Sequence, residues 1–234
     1  MKVHEFLTIV IPCKNESEII LDTLWYLNEQ LNIKNTEVII SDSSDDNTVE
    51  LIKHSDSFKN LKISIVKGGT PSIARNNGFR FCRTPYVLFL DADMELRDPN
   101  IINSALIKIF KEELHLVTCK VRCEGKYFYV YPVFEFFRNL ISFKYPFAVG
   151  GFMLFKSHRF NKIGKFCEGD LFAEDFNLSM KISPNKFSVL DSVIHTSDRR
   201  FRKKGLYYMM KMAVLSMINR DNPQFFKEDH GYWS

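Results

Sequence analysis

No two cysteines in the chain are separated by two residues, and the total of five is odd. The missing spacing is the one a structural zinc site or a dithiol motif requires, and an odd count does not close a disulfide framework. Cys13, Cys82, Cys119, Cys123 and Cys167 therefore read as reduced thiols of a cytoplasmic protein. Cys119 and Cys123 would share one face of a strand, but two thiolates alone make a poor zinc site. Long apolar runs are missing too. None approaches the roughly 20 residues that a bilayer-spanning helix needs, and the apolar stretch near the start is too short for a signal peptide. An excess of one charge is also lacking. The 32 Lys and Arg against 28 Asp and Glu leave +4, well short of what a dedicated nucleic-acid binder carries. There is no internal repeat and no low-complexity tract, and 45% hydrophobic with 26% charged residues excludes disordered and collagen-like chains.

What is abundant is aromatic: 22 Phe, 9 Tyr and 2 Trp in 234 residues. They are unevenly spread, with 11 of them in residues 127–152. The first half alternates. Residues 6–11, 37–40, 62–66 and 86–90 are short β-branched or apolar runs that read as buried strands. Residues 16–31, 46–54, 71–81 and 99–113 between them carry helical spacing, caps or an early proline. This alternation predicts βαβ units and a mostly parallel sheet with helices on both faces. Beyond residue 114 the pattern changes. Residues 116–122 and 127–131 read as strands forming a small antiparallel edge, 133–143 as an aromatic helix and 149–155 as a strand. Helices are expected at 157–163, 173–182 and 205–218, with a strand at 188–195. The chain reads as one domain over 1–234. Residues 1–113 form its first half, 114–200 its second half, and 201–234 a C-terminal helix and tail.

In a parallel sheet, ligands bind beyond the carboxyl ends of the strands. Four strands end there in polar clusters: Pro12-Cys13-Lys14-Asn15-Glu16, Asp42-Ser43-Ser44-Asp45-Asp46, Asp91-Ala92-Asp93, and His195-Thr196-Ser197-Asp198-Arg199-Arg200. Two carboxylates one residue apart, as in Asp91 and Asp93, suit a hard divalent cation that shares its shell with phosphates. Taken alone, the same triplet is an ordinary polar turn. Arg75 lies in a helical run, where it is either a solvated face or a grip for a diphosphate.

The ordered set Pro12–Glu16, Asp42–Thr48, Ala74–Gly78 and Phe89–Asp93 resembles the inverting family-2 glycosyltransferases, which have the GT-A fold. Gly150–Phe155, Lys162–Phe166 and Ala173-Glu174-Asp175 extend the resemblance over roughly residues 6–200.

The resemblance implies a nucleotide-diphosphate sugar donor and a Mn²⁺ or Mg²⁺ cofactor. It places Pro12, Asn15, Glu16 and Asp42 on the nucleoside, Arg75 on the diphosphate, and Asp91 and Asp93 on the metal. His195 would complete the metal site, although a histidine in such a place is also commonly structural. Asp175 would be the catalytic base, with Glu168 and Asp170 as rivals. Acids at a helix start also simply favour the dipole there. Glu174, Arg199 and Arg200 would contact acceptor or diphosphate, and Arg199 to Lys204 form a compact basic run. The second cluster, Ser41-Asp42-Ser43-Ser44, lacks the glycine and first aspartate that many members have, which leaves the base preference open. A processive membrane-embedded synthase is not expected. The rival readings are a sugar nucleotidyltransferase and a nucleotide-sugar-binding protein without catalysis. The aromatic cluster, with Arg138 and Lys144 among it, points to a glycan or lipid-linked acceptor and to peripheral contact with the inner membrane face.

Overall fold

The computed structural model describes residues 2–148 and 150–231. The first half alternates as the sequence predicts. Its elements are β1 (Leu7–Cys13), α1 (Ile20–Asn28), β2 (Thr36–Asp42), α2 (Thr48–Lys53), β3 (Leu61–Lys67), α3 (Pro71–Phe79), β4 (Tyr86–Leu90) and α4 (Ile101–Lys111). The second half comprises β5 (Leu116–Cys123), α5 (Val130–Ile141), β6 (Phe152–Lys156), α6 (Ser157–Lys162), α7 (Glu174–Ser179) and β7 (Phe187–Thr196). Helices α8 (Arg199–Lys204), α9 (Leu206–Ile218) and α10 (Pro223–Phe226) follow.

Among the described residues, seven strands form one sheet in the order β3-β2-β1-β4-β6-β5-β7. Alternate residues face opposite ways. Ile9, Ile11, Val38, Ile40, Leu88 and Leu90 join one core, together with the apolar stripes of α1 and α4. Val10, Ile39, Val87 and Phe89 join the other, with Phe160 of α6 and Leu178 of α7. Both faces are therefore dry, which is why these strands read as unbroken apolar runs. Phe89 anchors the second core, its ring centroid 4.8 Å from that of Phe160 and 5.1 Å from that of Phe166. Burying one such ring contributes about 1.5–3 kcal/mol.

Chain order reverses beside β1, which pairs in parallel with both β2 and β4. A crevice opens at such a switch point beyond the carboxyl ends of the strands. β6 is the one strand in the sheet that runs the other way, antiparallel to both β4 and β5. It starts at the carboxyl edge, with Phe152 opposite Leu90, and so delivers Gly150 and Gly151 to the same edge as Asp91.

Several details differ from the sequence reading. The antiparallel component is β6, inside the sheet, while the outer strand β7 runs parallel to β5. Residues 127–129 are a turn and 130–131 open α5, so this stretch is not a strand. Their aromatics looked like period-two alternation, but Tyr127 and Tyr131 are also four apart. Both pack on Phe201 of α8, at 5.6 and 5.7 Å. The expected strand at 149–155 begins on Val149, outside the described residues, as does the end of the 201–234 tail. The basic run after Asp198 is helical, and α10 was not expected at all. Phe226 of α10 is fully buried, and its carbonyl accepts from the amides of Leu171 and Phe172, at 2.8 and 3.1 Å.

Helix α5 is turned inside out. Its Glu135 and Arg138 face the protein, buried and ion-paired. Glu135 also accepts from the Val121 amide at 3.1 Å, and Arg138 donates to the Cys119 carbonyl at 3.3 Å. Glu135→Ala would leave a buried guanidinium without its counter-ion. That should cost about 3–5 kcal/mol, read as a lower urea midpoint at unchanged slope.

Candidate active site

The floor of the crevice is built from the loops that follow β1, β2 and β3. Asn15 adopts φ 55, a left-handed conformation that asparagine tolerates. Its amide donates to Ser44 Oγ, and its side-chain oxygen accepts from the Asp45 amide, each at 2.8 Å. The Glu16 amide donates to Thr48 Oγ1 at 3.1 Å. Asp42 accepts from the Ser44 amide at 3.0 Å and from its hydroxyl at 2.6 Å. Pro12 lies on β1 opposite Ser41. A Cβ on Gly68 would fall 2.3 Å from Ser43 Oγ, so only glycine fits where the third loop meets the second. These contacts bring Pro12, Asn15, Glu16 and Asp42 to one wall.

The centre of the site is Arg75. It projects from α3 and is 3% exposed. Its Nη2 is 2.6 Å from Asp91 Oδ1 at the end of β4, and its Nη1 is ion-paired with Glu174 at the start of α7. The guanidinium also lies 5.2 Å from the Phe166 ring centroid. Burial opposes its charge, but Asp91, Glu174 and Asp175 together push its pKa upward. Both terminal nitrogens of Arg75 are thus engaged by carboxylates, while its Nε has no hydrogen-bond partner. Glu174 is likewise buried, and its carboxylate holds Arg75.

Asp175 stands beside this pair. Its Oδ2 accepts from the Gly150 amide at 2.6 Å and its Oδ1 from the Phe176 amide at 2.7 Å. Burial pushes its carboxyl up, with help from the charges of Glu174 and Asp91. Arg75 and the Phe176 amide oppose them, leaving the pKa at about 7. A Cβ on Gly150 would lie 2.9 Å from Arg75 Nη2, 3.1 Å from Asp175 Oδ2 and 3.4 Å from Asp91 Oδ2. One glycine therefore touches three functional side chains. The rival bases are engaged elsewhere. Asp170 is buried and accepts from Asn177 Nδ2 at 2.6 Å, and Glu168 accepts from Asn76 Nδ2 at 3.3 Å.

A second group adjoins the first. Burial and then the charge of Asp91 push the Asp93 carboxyl up, while Arg200 and Arg199 pull it down. Burial likewise raises Glu16, which Arg199 counters. Arg199 Nη2 holds both Glu16 oxygens, at 2.9 and 2.7 Å, so α8 is tied across to the loop after β1. His195 does not join the aspartates. Neighbouring strand residues face opposite ways. Thr196 Oγ1 is the group that approaches Asp93, at 3.4 Å, while His195 Nδ1 lies 3.9 Å from Glu124 Oε1. Burial, then nearby Arg97, lowers the His195 pKa. Among the described residues no three His, Cys, Asp or Glu side chains form a metal-ligand group. Asp91 and Asp93 nevertheless fit a hard divalent cation. They are two oxygen donors close enough for one charge to disfavour the other, and phosphates and water complete such shells.

Sequence reasoning passed over the role of Gly150, the approach of Thr196 and the support given by α10. The Gly150-Gly151 pair was a visible signal for the first. The other two had none, because each depends on contacts with residues far away along the chain.

An α/β sheet with acids gathered at its switch point defines a nucleotide-type ligand crevice. The family model described as "Glycosyl transferase family 2" matches residues 8–167. The chain belongs to family 2 of the glycosyltransferases. The poly-beta-1,6-N-acetyl-D-glucosamine synthase of Staphylococcus epidermidis is 28% identical over an alignment of 196 positions that covers 76% of this chain and 46% of the synthase. The amylovoran biosynthesis glycosyltransferase AmsB of Erwinia amylovora is 42% identical over 93 residues, 38% of this chain and 31% of AmsB. The chain thus spans less than half the length of these relatives. Among solved structures, the mannosyltransferase PcManGT from Pyrobaculum calidifontis, in complex with GDP-Man and Mn2+, superposes with a TM-score of 0.68 at 19% identity. That match covers 97% of this chain and 68% of that one. S. aureus TarS 1-349 in complex with UDP-GlcNAc gives 0.64 at 19% identity, covering 97% and 69%. These likenesses establish the GT-A type fold.

The Asp175 environment sets a pH dependence. The carboxyl ionises at about 7 when folded and near 3.8 when unfolded. Between those values the folded chain keeps a proton that the unfolded chain has released, so stability falls as pH rises through that window. Asp175→Asn removes this titration. Its stability relative to the wild type should increase between about pH 4 and about pH 7, as measured by urea melts at both ends.

Proposed function

We propose that the chain transfers a sugar from a nucleotide-diphosphate sugar to an acceptor, either a glycan hydroxyl or a lipid phosphate, with inversion at the anomeric carbon. The observation that carries this reading is Asp175, a carboxyl with a pKa of about 7 in contact with Gly150 and next to the Arg75–Asp91 pair. A base is most effective when its pKa lies near the working pH.

The acceptor oxygen attacks the anomeric carbon from the face opposite the departing phosphate. The bond between that carbon and the phosphate oxygen breaks, and its electron pair leaves with the nucleoside diphosphate. Asp175 takes the acceptor proton. Arg75 holds Asp91 and, through Glu174, the start of α7, so the donor side and the base keep a fixed separation. Asn15, Glu16 and Asp42 line the wall that would receive the nucleoside, where carboxylates accept from ribose hydroxyls or a base N–H. Arg199 and Arg200, exposed beside Asp93, are the cations within reach of a diphosphate. Asp91 and Asp93 would hold Mn²⁺ or Mg²⁺, which when bound supplies Lewis-acid stabilisation of the leaving group. The neighbours solved with GDP-Man and Mn2+, and with UDP-GlcNAc, support the choice of donor class.

A panel of UDP- and GDP-sugars with either cation should raise the melting temperature, by mass action, when the right donor is present. Asp175→Asn should keep that shift and lose transfer by about 10²–10⁴-fold. Asp93→Ala should lose the cation-dependent part of the shift together with transfer. Near-wild-type turnover by either variant would remove the assigned role, and release of pyrophosphate from a nucleoside triphosphate in the presence of a sugar 1-phosphate would point to nucleotidyl transfer instead.

A further inference from the structure

We infer that α5 and α9 form one docking surface for an anionic lipid bilayer, with Phe136 and Phe137 as its inserting side chains. The surface is separate from the donor crevice, and the inference does not depend on the transfer reading.

Helix α5 carries the apolar stripe of a core-facing helix. Val133, Phe136, Phe137 and Leu140 follow the i, i+3, i+4, i+7 spacing that normally turns inward. Here all four are exposed, and Phe143 beyond them is exposed as well. Phe136 is 62% and Phe137 58% exposed, so neither ring is a core residue at the edge of its packing. The buried side of the helix is instead Val130, Glu135 and Arg138. A helix whose charged pair is inside and whose phenylalanines are outside requires an apolar environment for its outer face.

Helix α9 repeats the pattern. Lys211 is its one charged residue among thirteen, yet only Met212 and Ser216 are buried. Tyr207, Met210, Val214 and Ile218, spaced three and four apart, form an exposed stripe. At 1.5 Å per residue the helix is about 20 Å long, shorter than the roughly 30 Å hydrocarbon layer, so it suits lying along an interface. The two helices are linked at both ends. Tyr127 and Tyr131 stack on Phe201 just before α9, and the Arg220 guanidinium just after it lies 5.0 Å from the Tyr145 ring centroid.

Charge selects the occupant. Residues 201–220 contain five Lys and Arg and no Asp or Glu, with Arg202 and Arg220 paired to the flanking Asp198 and Asp221. In residues 126–148 the exposed charges are Lys126 and Lys144, since Glu135 and Arg138 are buried against each other. An apolar stripe rimmed by cations matches the acyl and headgroup layers of an anionic membrane. A second copy docked about a two-fold axis would set this basic rim against itself.

The test is co-sedimentation of the chain with phosphatidylcholine vesicles and with phosphatidylcholine–phosphatidylglycerol vesicles, at low and high salt. The chain should partition to the anionic vesicles and weaken with salt. The exposed double variant Phe136→Ser/Phe137→Ser should lower the bound fraction by about tenfold at an unchanged melting temperature. Equal binding to neutral vesicles, or wild-type binding by the double variant, would overturn the inference. So would a dimer in sedimentation velocity that this variant dissociates without any vesicle binding, which would assign the face to a second copy.

Discussion

The site depends on one buried cation. Arg75 is held by Asp91 from the sheet and by Glu174 from α7, and it brings together three elements that are far apart in the chain. A guanidinium out of water is costly unless its charge and its N–H groups are met. Here two carboxylates meet its charge and its terminal N–H groups, with a third from Asp175 nearby and the face of Phe166 beneath, while Nε has no hydrogen-bond partner. The consequence is electrostatic as well as mechanical. The acids at the crevice would repel one another without Arg75, and with it they remain packed around Gly150. Burial, and then the charges of Glu174 and Asp91, raise the Asp175 carboxyl, and Arg75 offsets part of that rise. The group is thus a balance of one cation against several acids, in which Asp175 is the member left close to neutrality.

The sheet was readable from sequence because its physics is local. Runs such as Ile9-Val10-Ile11 and Val87-Leu88-Phe89-Leu90 are apolar on both sides, and their shortness and flanking turn residues favour a strand covered on both faces over a buried helix. The position of the acids followed from that, since strand ends in a parallel sheet point to one edge. The pairings within the edge were not readable. Nothing at residue 75 announces that its partners are residues 91 and 174. His195 and Thr196 differ by one position, and a register shift between β5 and β7 at Cys119/Lys120 lies along the same ladder. Which of two adjacent residues faces Asp93 is decided by the whole sheet. Residues 127–131 were misread because tyrosines four apart satisfy both periods, and the choice was made by Phe201, some seventy positions later.

The composition also acquires a location. Part of the phenylalanine excess is ordinary core: Phe89, Phe155, Phe160 and Phe166 interlock beneath the sheet. Another part, Phe136, Phe137 and Phe143, is exposed on or just beyond the outer face of α5. The Glu135–Arg138 pair explains how such a helix can exist. By bonding to the backbone of β5, it attaches α5 through polar contacts and leaves the aromatic side free. Specificity of attachment is the best-supported use of buried ion pairs, and here it fixes which way the helix faces.

The contact between α10 and the loop before α7 has a consequence for synthesis. The amides of Leu171 and Phe172, which lead directly into Glu174 and Asp175, are capped by the carbonyl of Phe226. A nascent chain on the ribosome can pair β1 to β4 and bury most of both cores before that residue exists. The loop that carries the proposed base remains unlatched until Phe226 emerges. Assembly of the crevice is therefore completed by late residues, and a ribosome that stalls short of them leaves a sheet with its donor wall formed and its base loop unsecured.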